Sequence, residues 1–100
     1  MKPAILHREA EEELLDAVDY YEVRERGVGL RLNDAVQRAL GRIEKTPGMG
    51  ARYRNTTSRF YRVKKFPYVI YYTEFPDHLW VAAIAHARRR PGYWRRRKPE

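Results

Sequence analysis

The sequence predicts one α+β domain: an N-terminal strand, a two-helix antiparallel hairpin, and a three-stranded antiparallel meander, with the four strands forming one sheet. Three observations support this fold. Residues 8–46 have apolar positions at helical spacing, residues 60–86 contain three runs rich in Tyr, Val, Ile and Phe, and a short apolar run precedes both. A chain of 100 residues has room for a single core. We assign residues 1–94 to the domain and residues 95–100 to a basic C-terminal tail.

The first two predicted elements are a short strand and an amphipathic helix. Ala4–Leu6 is an apolar run that we interpret as the strand, and the helical spacing begins at Arg8. Glutamates crowd the first turns of this helix, where carboxylates complement the positive end of the helix dipole. Its apolar face consists of Leu14, Ala17, Val18 and Tyr21.

A second helix follows a glycine break. Gly27 and Gly29 interrupt the helical spacing, and glycine commonly stands just after a helix end. The spacing resumes from about Leu30 to Thr46, and Pro47-Gly48 ends it. A connection this short predicts an antiparallel hairpin, and its apolar faces need a sheet to cover.

Three strands account for most of the second half. The apolar runs are separated by Pro67 and by Pro76-Asp77, and each break indicates a turn because proline cannot donate to a strand ladder. Both faces of the last two strands are largely apolar or aromatic, so we expect helices on one side of the sheet and an aromatic, basic surface on the other. In the first strand of the meander, alternation places four residues on one face: Phe60, Arg62, Lys64 and Phe66.

Positive charge is concentrated in the second half of the chain. The net charge is +8, but residues 1–51 contain 8 Lys plus Arg against 10 Asp plus Glu, whereas residues 52–100 contain 13 against 3. The densest part is Arg88-Arg89-Arg90, followed by Pro91-Gly92-Tyr93-Trp94 and then by residues 95–98. Such an uneven field attracts a polyanionic partner, either nucleic acid or an acidic protein segment.

The composition gives no support for a disulfide, a metal site or a membrane span. There is no cysteine, and His7, His78 and His86 lack the spacing of metal ligands. No apolar run reaches the roughly 18 to 20 residues of a membrane helix, and the N-terminus lacks the apolar core of a signal peptide. We therefore expect a cytoplasmic protein with no cofactor.

The element order and three short motifs resemble a known family. The motifs are Tyr20-Tyr21, residues 66–72 (Phe-Pro-Tyr-Val-Ile-Tyr-Tyr) and residues 84–94 (Ile-Ala-His-Ala-Arg-Arg-Arg-Pro-Gly-Tyr-Trp). Over nearly the whole chain they resemble the RelE/ParE family of type II toxin-antitoxin toxins, and the last motif is more similar to the ParE-like branch. This resemblance implies a growth-inhibiting toxin that forms a hetero-oligomer with a co-encoded antitoxin.

The RelE-like branch consists of metal-independent endoribonucleases that cut messenger RNA in the ribosome. That reaction needs a base for the 2′-hydroxyl, cations for the phosphate and an acid for the leaving oxygen. The arginine of that branch's middle strand matches Val69, which argues against this activity because a charge that stabilises the transition state is missing. The positions that match its other catalytic residues are Arg62, Lys64, Arg89 and Tyr93, with Trp94 beside the last.

The ParE-like branch blocks DNA gyrase by binding, and we favour it. The resemblance then implies a target-binding surface of basic and aromatic residues: Arg62, Lys64, Arg88, Arg89, Arg90, Tyr93 and Trp94. A third hypothesis is a small nucleic-acid-binding module with neither toxicity nor enzymatic activity. The basic tail favours it, whereas the absence of a recognised nucleic-acid motif opposes it.

Some of these residues also have a purely structural interpretation. The strand tyrosines and Trp80 fit cross-strand packing, and Arg62 and Lys64 fit charges that protect a sheet edge. Three consecutive arginines cannot all point the same way, so we expect at least one of residues 88–90 to pair with the acidic first helix. Residues 95–98 have no apolar periodicity, and we expect them to be mobile.

Overall fold

The computed structural model describes residues 1–99 and confirms the predicted α+β fold. Across these residues, no helix is both long enough and apolar enough to cross a lipid bilayer. The elements are β1 (Ala4–Leu6), α1 (Arg8–Arg24), α2 (Val28–Lys45), a 3-10 turn (Pro47–Met49), β2 (Ala51–Arg52), β3 (Ser58–Arg62), β4 (Tyr68–Glu74) and β5 (Leu79–His86).

The strands form one mixed sheet in the order β1-β5-β4-β3-β2. The meander β3-β4-β5 is antiparallel, whereas β1 pairs in parallel with β5. The sheet has one strand more than predicted, because Ala51–Arg52 pairs with Phe60 and Arg59 of β3. Both residues of β2 are exposed, so this strand has none of the apolar alternation by which a strand is recognised in a sequence.

Helix α1 begins with an unusual cap. No Ser, Thr, Asp or Asn precedes it, and the imidazole Nδ1 of His7 instead accepts a hydrogen bond from the backbone N–H of Glu9 at 3.0 Å. The His7 side chain is buried and lies edge-on to Trp80, with 6.0 Å between the ring centroids. One of the three scattered histidines therefore connects the helix start to the sheet.

The hairpin is closed by Glu22 near the end of α1. Gly27, with φ of 91°, is the N-cap of α2 and has no side chain to cap that helix. The Glu22 carboxylate accepts from the backbone N–H groups of Gly27 at 2.8 Å and Leu30 at 3.4 Å. These backbone hydrogen bonds, led by that from Gly27, lower the pKa of Glu22.

The helices cover one face of the sheet. Their apolar sides and the inward side chains of β4 and β5 form the main core, in which Tyr72 is the largest fully buried side chain. Its hydroxyl donates to the carbonyl of Pro47 at 2.7 Å and accepts from the N–H of Gly50 at 3.0 Å. The phenol therefore has partners and holds the segment between α2 and β2 against the sheet.

Gly29 does not end a helix as the sequence suggested, because it lies within α2. A Cβ at this position would be 2.3 Å from the carbonyl oxygen of Val18 in α1. Gly29 therefore permits the close approach of the two helices.

We expect Gly29→Ala to destabilise the fold by about 1–3 kcal/mol, because the helices must separate to admit the methyl group. Gly41→Ala in the same helix is the matched control. A Cβ there meets nothing within 4 Å, so this variant should gain about 0.5–1 kcal/mol from helix propensity. Urea unfolding of both variants measures the difference, and equal effects would contradict a packing role for Gly29.

Candidate functional site: the docked C-terminal segment

The face of the sheet opposite the helices carries the predicted aromatic surface, and the chain covers this surface itself. The C-terminal segment, residues 87–99, places Trp94 on it. Trp94 is only 4% exposed, and its ring centroid lies 4.8 Å from that of Tyr71 and 5.2 Å from that of Tyr53. In this conformation the indole supports the fold and is not offered to a partner.

The segment is held by a cluster around Glu13 of α1. The Glu13 carboxylate accepts from both terminal nitrogens of Arg97, each at 3.0 Å, and from the hydroxyl of Tyr93 at 2.5 Å. The Arg97 side chain is only 11% exposed, and its Nε lies 3.6 Å from the carboxylate of Glu9. A paired guanidinium with this little exposure is firmly docked.

The same cluster completes the edge of the sheet. β1 ends at Leu6, and beyond it β5 has no neighbouring strand on that side. There the Glu13 carboxylate accepts from the N–H of Ile84 at 3.1 Å, and Arg97 donates to the carbonyl of Ala82 at 2.9 Å. Two side chains therefore satisfy backbone groups that a longer β1 would have paired.

Two expectations about the basic residues are wrong. Arg97 lies in the stretch expected to be mobile, yet it is docked on α1. Arg97 is also the cation that pairs with the acidic first helix, whereas residues 88–90 form no ion pair within residues 1–99. Arg89 instead lies over the ring of Tyr93, 3.9 Å from its centroid.

The expectation that Arg62 and Lys64 share one face is also wrong. β3 ends at Arg62, and a turn with Lys65 at φ of 69° follows it. Arg62 lies near enough to Tyr71, on the face opposite the helices, for its charge to act on that hydroxyl. Lys64 lines a groove beside α2, and Phe66 packs with the main core.

The residues that match the ribonuclease branch therefore do not form one site. Lys64 lines the groove beside α2, whereas Arg89 and Tyr93 line the cleft against α1. Val69 is buried and pairs with Arg62 on one side and Ala85 on the other. A phosphate cannot reach that position.

Burial, and next the hydrogen bond to Glu13, raise the pKa of Tyr93 well above its ordinary value of 10.0. The phenol is half-buried, and its proton is the one that it donates to the carboxylate. Tyr93 therefore stays neutral at physiological pH.

The groove beside α2, which we call the α2 groove, was not predicted. It has a volume of about 780 Å³ and lies between α2 and the turn that joins β3 to β4. Its floor includes Ala35, Ala39 and Phe66. The charged residues that line it are Arg31, Arg38, Arg42, Lys64, Lys65 and the single acid Asp34. The spacing of the three arginines along one helix face was the available signal.

The small mixed sheet with a helix hairpin on one face is also found in solved structures. One solved structure that the chain resembles is described as the chromosomal ParDE TA system from P. aeruginosa, with a TM-score of 0.77 at 15% sequence identity over 86% of this chain and 96% of that one. At this identity the likeness establishes the fold alone.

The family follows from the sequence comparison. A family model described as the ParE toxin of the type II toxin-antitoxin system, parDE, matches residues 4–91, and this chain belongs to that family. Curated protein sequences give no match.

The raised pKa of Tyr93 gives a pH dependence of stability. As pH rises above the ordinary value of 10.0, the unfolded chain releases the Tyr93 proton and the folded chain keeps it, so the free energy of unfolding falls. Tyr93→Phe should flatten this loss when urea unfolding is measured from about pH 8 to 11. Tyr20→Phe removes an exposed phenol outside the cluster and is the control. An equal flattening in both variants would exclude Tyr93 as the cause.

Proposed function

We propose that this chain is a growth-inhibiting toxin that acts in the cytoplasm by binding DNA gyrase, and that a co-encoded antitoxin neutralises it. Membership of the ParE toxin family supports the toxin-antitoxin context. The observation that most supports binding over catalysis is the hydrogen bond from Tyr93 to Glu13, because it occupies the hydroxyl that a ribonuclease of this family would need.

The surroundings of Tyr93 argue against a ribonuclease mechanism. A general acid or base must reach the proton that it transfers and needs a pKa near the working pH. The Tyr93 hydroxyl is bonded to a carboxylate and has a raised pKa. Its cationic neighbour Arg97 donates hydrogen bonds to the same carboxylate, so the guanidinium is not free to bind a phosphate.

The exposed arginines fit a binding role better. Arg88 and Arg90 are exposed at the start of the C-terminal segment, and Arg89 lies over the ring of Tyr93. In this proposal Tyr93 and Trp94 hold the segment in place, while the arginines contact the target. A rigid support lowers the entropy that ordered side chains lose on binding.

The α2 groove fits the antitoxin. An apolar floor with a cationic rim suits an amphipathic segment whose apolar side chains enter the groove and whose carboxylates meet Arg31, Arg38 and Arg42. A partner of this kind, folding as it binds, would cover the groove and leave the C-terminal segment in place.

The gyrase proposal is tested by expressing the toxin alone in a bacterial host. We expect growth arrest with intact messenger RNA on the ribosomes and disturbed DNA supercoiling. The double variant Arg88→Gln, Arg90→Gln should lose inhibition of purified gyrase by about tenfold or more, as removal of interface arginines does. The double variant Arg24→Gln, Arg26→Gln removes the same charge from the end of α1 and the hairpin loop and should inhibit like the wild type. Messages cut in the ribosomal A site would overturn the proposal.

The proposed binding of the antitoxin in the α2 groove is tested separately, by charge reversal. Arg38→Glu, Arg42→Glu reverses two charges on the rim and should weaken antitoxin binding by about 10- to 100-fold in calorimetry, since each like-charge contact costs affinity. Arg95→Glu, Arg96→Glu is the control with the same change of net charge outside the groove. Antitoxin affinity lost equally in both variants would mean that net charge matters and that the groove does not.

A further inference from the structure

We propose that the C-terminal cation stripe, defined as Arg88, Arg90, Arg95, Arg96 and Lys98, binds the phosphate backbone of duplex DNA directly. This contact goes beyond the proposed inhibition of gyrase, since it requires no protein partner.

The residues of the stripe are distributed from one end of the sheet toward the other, with Arg96 lining a hollow that also contains Arg89, Tyr93 and Glu9. Residues 88–90 follow His86, at the end of the sheet where His86 pairs with Tyr68. Arg95 borders a hollow with Thr73 and Trp80, which lie toward the opposite end. From Trp80 to His86, β5 spans about 20 Å, an axial length of duplex that carries about six phosphates on each strand.

The five residues of the stripe are exposed, and none of them forms an ion pair within residues 1–99. Residues 78–99 contain no acid. The acids nearest the stripe, Glu9 and Glu13, are engaged with the docked Arg97.

The chemistry beneath the stripe favours DNA over an acidic protein. Protein interfaces obtain much of their affinity from aromatic and apolar anchors that a partner can reach. Here Trp94, Trp80 and Tyr53 are at most 8% exposed, so the stripe offers charge with few anchors. Backbone contacts to DNA need charge alone, because released counterions supply the driving force.

The support of the stripe is rigid. Arg97 lies between Arg96 and Lys98 and is bonded to Glu13 and to the backbone of Ala82. The neighbouring cations are therefore presented at a fixed position on the domain, so less backbone entropy is lost on binding than for a free basic tail.

The test measures binding of a fluorescent duplex of about 20 base pairs by anisotropy, from roughly 50 to 200 mM NaCl. The wild type should bind with an affinity that falls steeply with salt. The triple variant Arg95→Gln, Arg96→Gln, Lys98→Gln should reduce the slope of log K against log salt by about 2 to 3 and weaken binding about a hundredfold near 0.1 M salt, since each phosphate contact adds about 0.9 to the slope.

The matched control is the triple variant Arg24→Gln, Arg26→Gln, Lys45→Gln. It removes three exposed charges from the end of α1, the hairpin loop and the end of α2, so it should keep nearly the wild-type slope. Circular dichroism melting checks that both triples are folded. Equal losses in the two triples would overturn the proposal, since net charge alone would explain the binding, and so would wild-type binding that is absent or independent of salt.

A parallel supercoiling assay with purified gyrase separates this proposal from the proposed function. If the wild type inhibits gyrase but does not bind DNA in the absence of gyrase, the DNA-binding proposal is overturned and the gyrase proposal stands. DNA binding that depends on the stripe, without inhibition of gyrase, would support the stripe and refute the gyrase target.

Discussion

The ion pair between Glu13 and Arg97 is the interaction on which the rest of the structure depends. It joins α1 to the end of the chain, and its two side chains also complete the open edge of β5. Without Arg97, Glu13 would be a largely buried carboxylate with too few partners, which is costly. Tyr93 would keep its acceptor, but the C-terminal segment that carries Trp94 would lose its ionic attachment to α1. One carboxylate on the first helix therefore holds the segment on which the exposed arginines lie.

The sheet keeps two kinds of basic surface apart. On the helix side, cations surround an apolar groove, which suits a protein segment that is both acidic and amphipathic. On the other side, cations lie above aromatic rings that are already packed together, so little apolar surface remains. Both surfaces are positive, but only the first offers apolar contact. The two surfaces therefore consist of different residues on opposite sides of the sheet.

The sequence predicted what depends on local periodicity and missed what depends on distant contacts. The helices and the meander were predicted because apolar spacing and proline breaks are local signals. The position of β1 beside β5 has no local signal, since parallel pairing joins residues far apart in the chain. The docking of Arg97 was missed for the same reason: its partner lies 84 residues away, and nothing in a run of basic residues distinguishes the one that is buried. Alternation misplaced Lys64 because the strand ends at Arg62 and the turn reverses the side-chain directions.

The pairing of the two ends of the chain has a consequence for synthesis. β1 can add to the sheet only after β5 exists, and Glu13 meets its partner only when residue 97 has left the ribosome. Contacts between such distant residues also slow folding. The N-terminal helices therefore emerge well before the sheet that covers their apolar faces, and throughout that interval the growing chain lacks its complete basic surface. The complete basic surface therefore forms only after residue 97 has been synthesised.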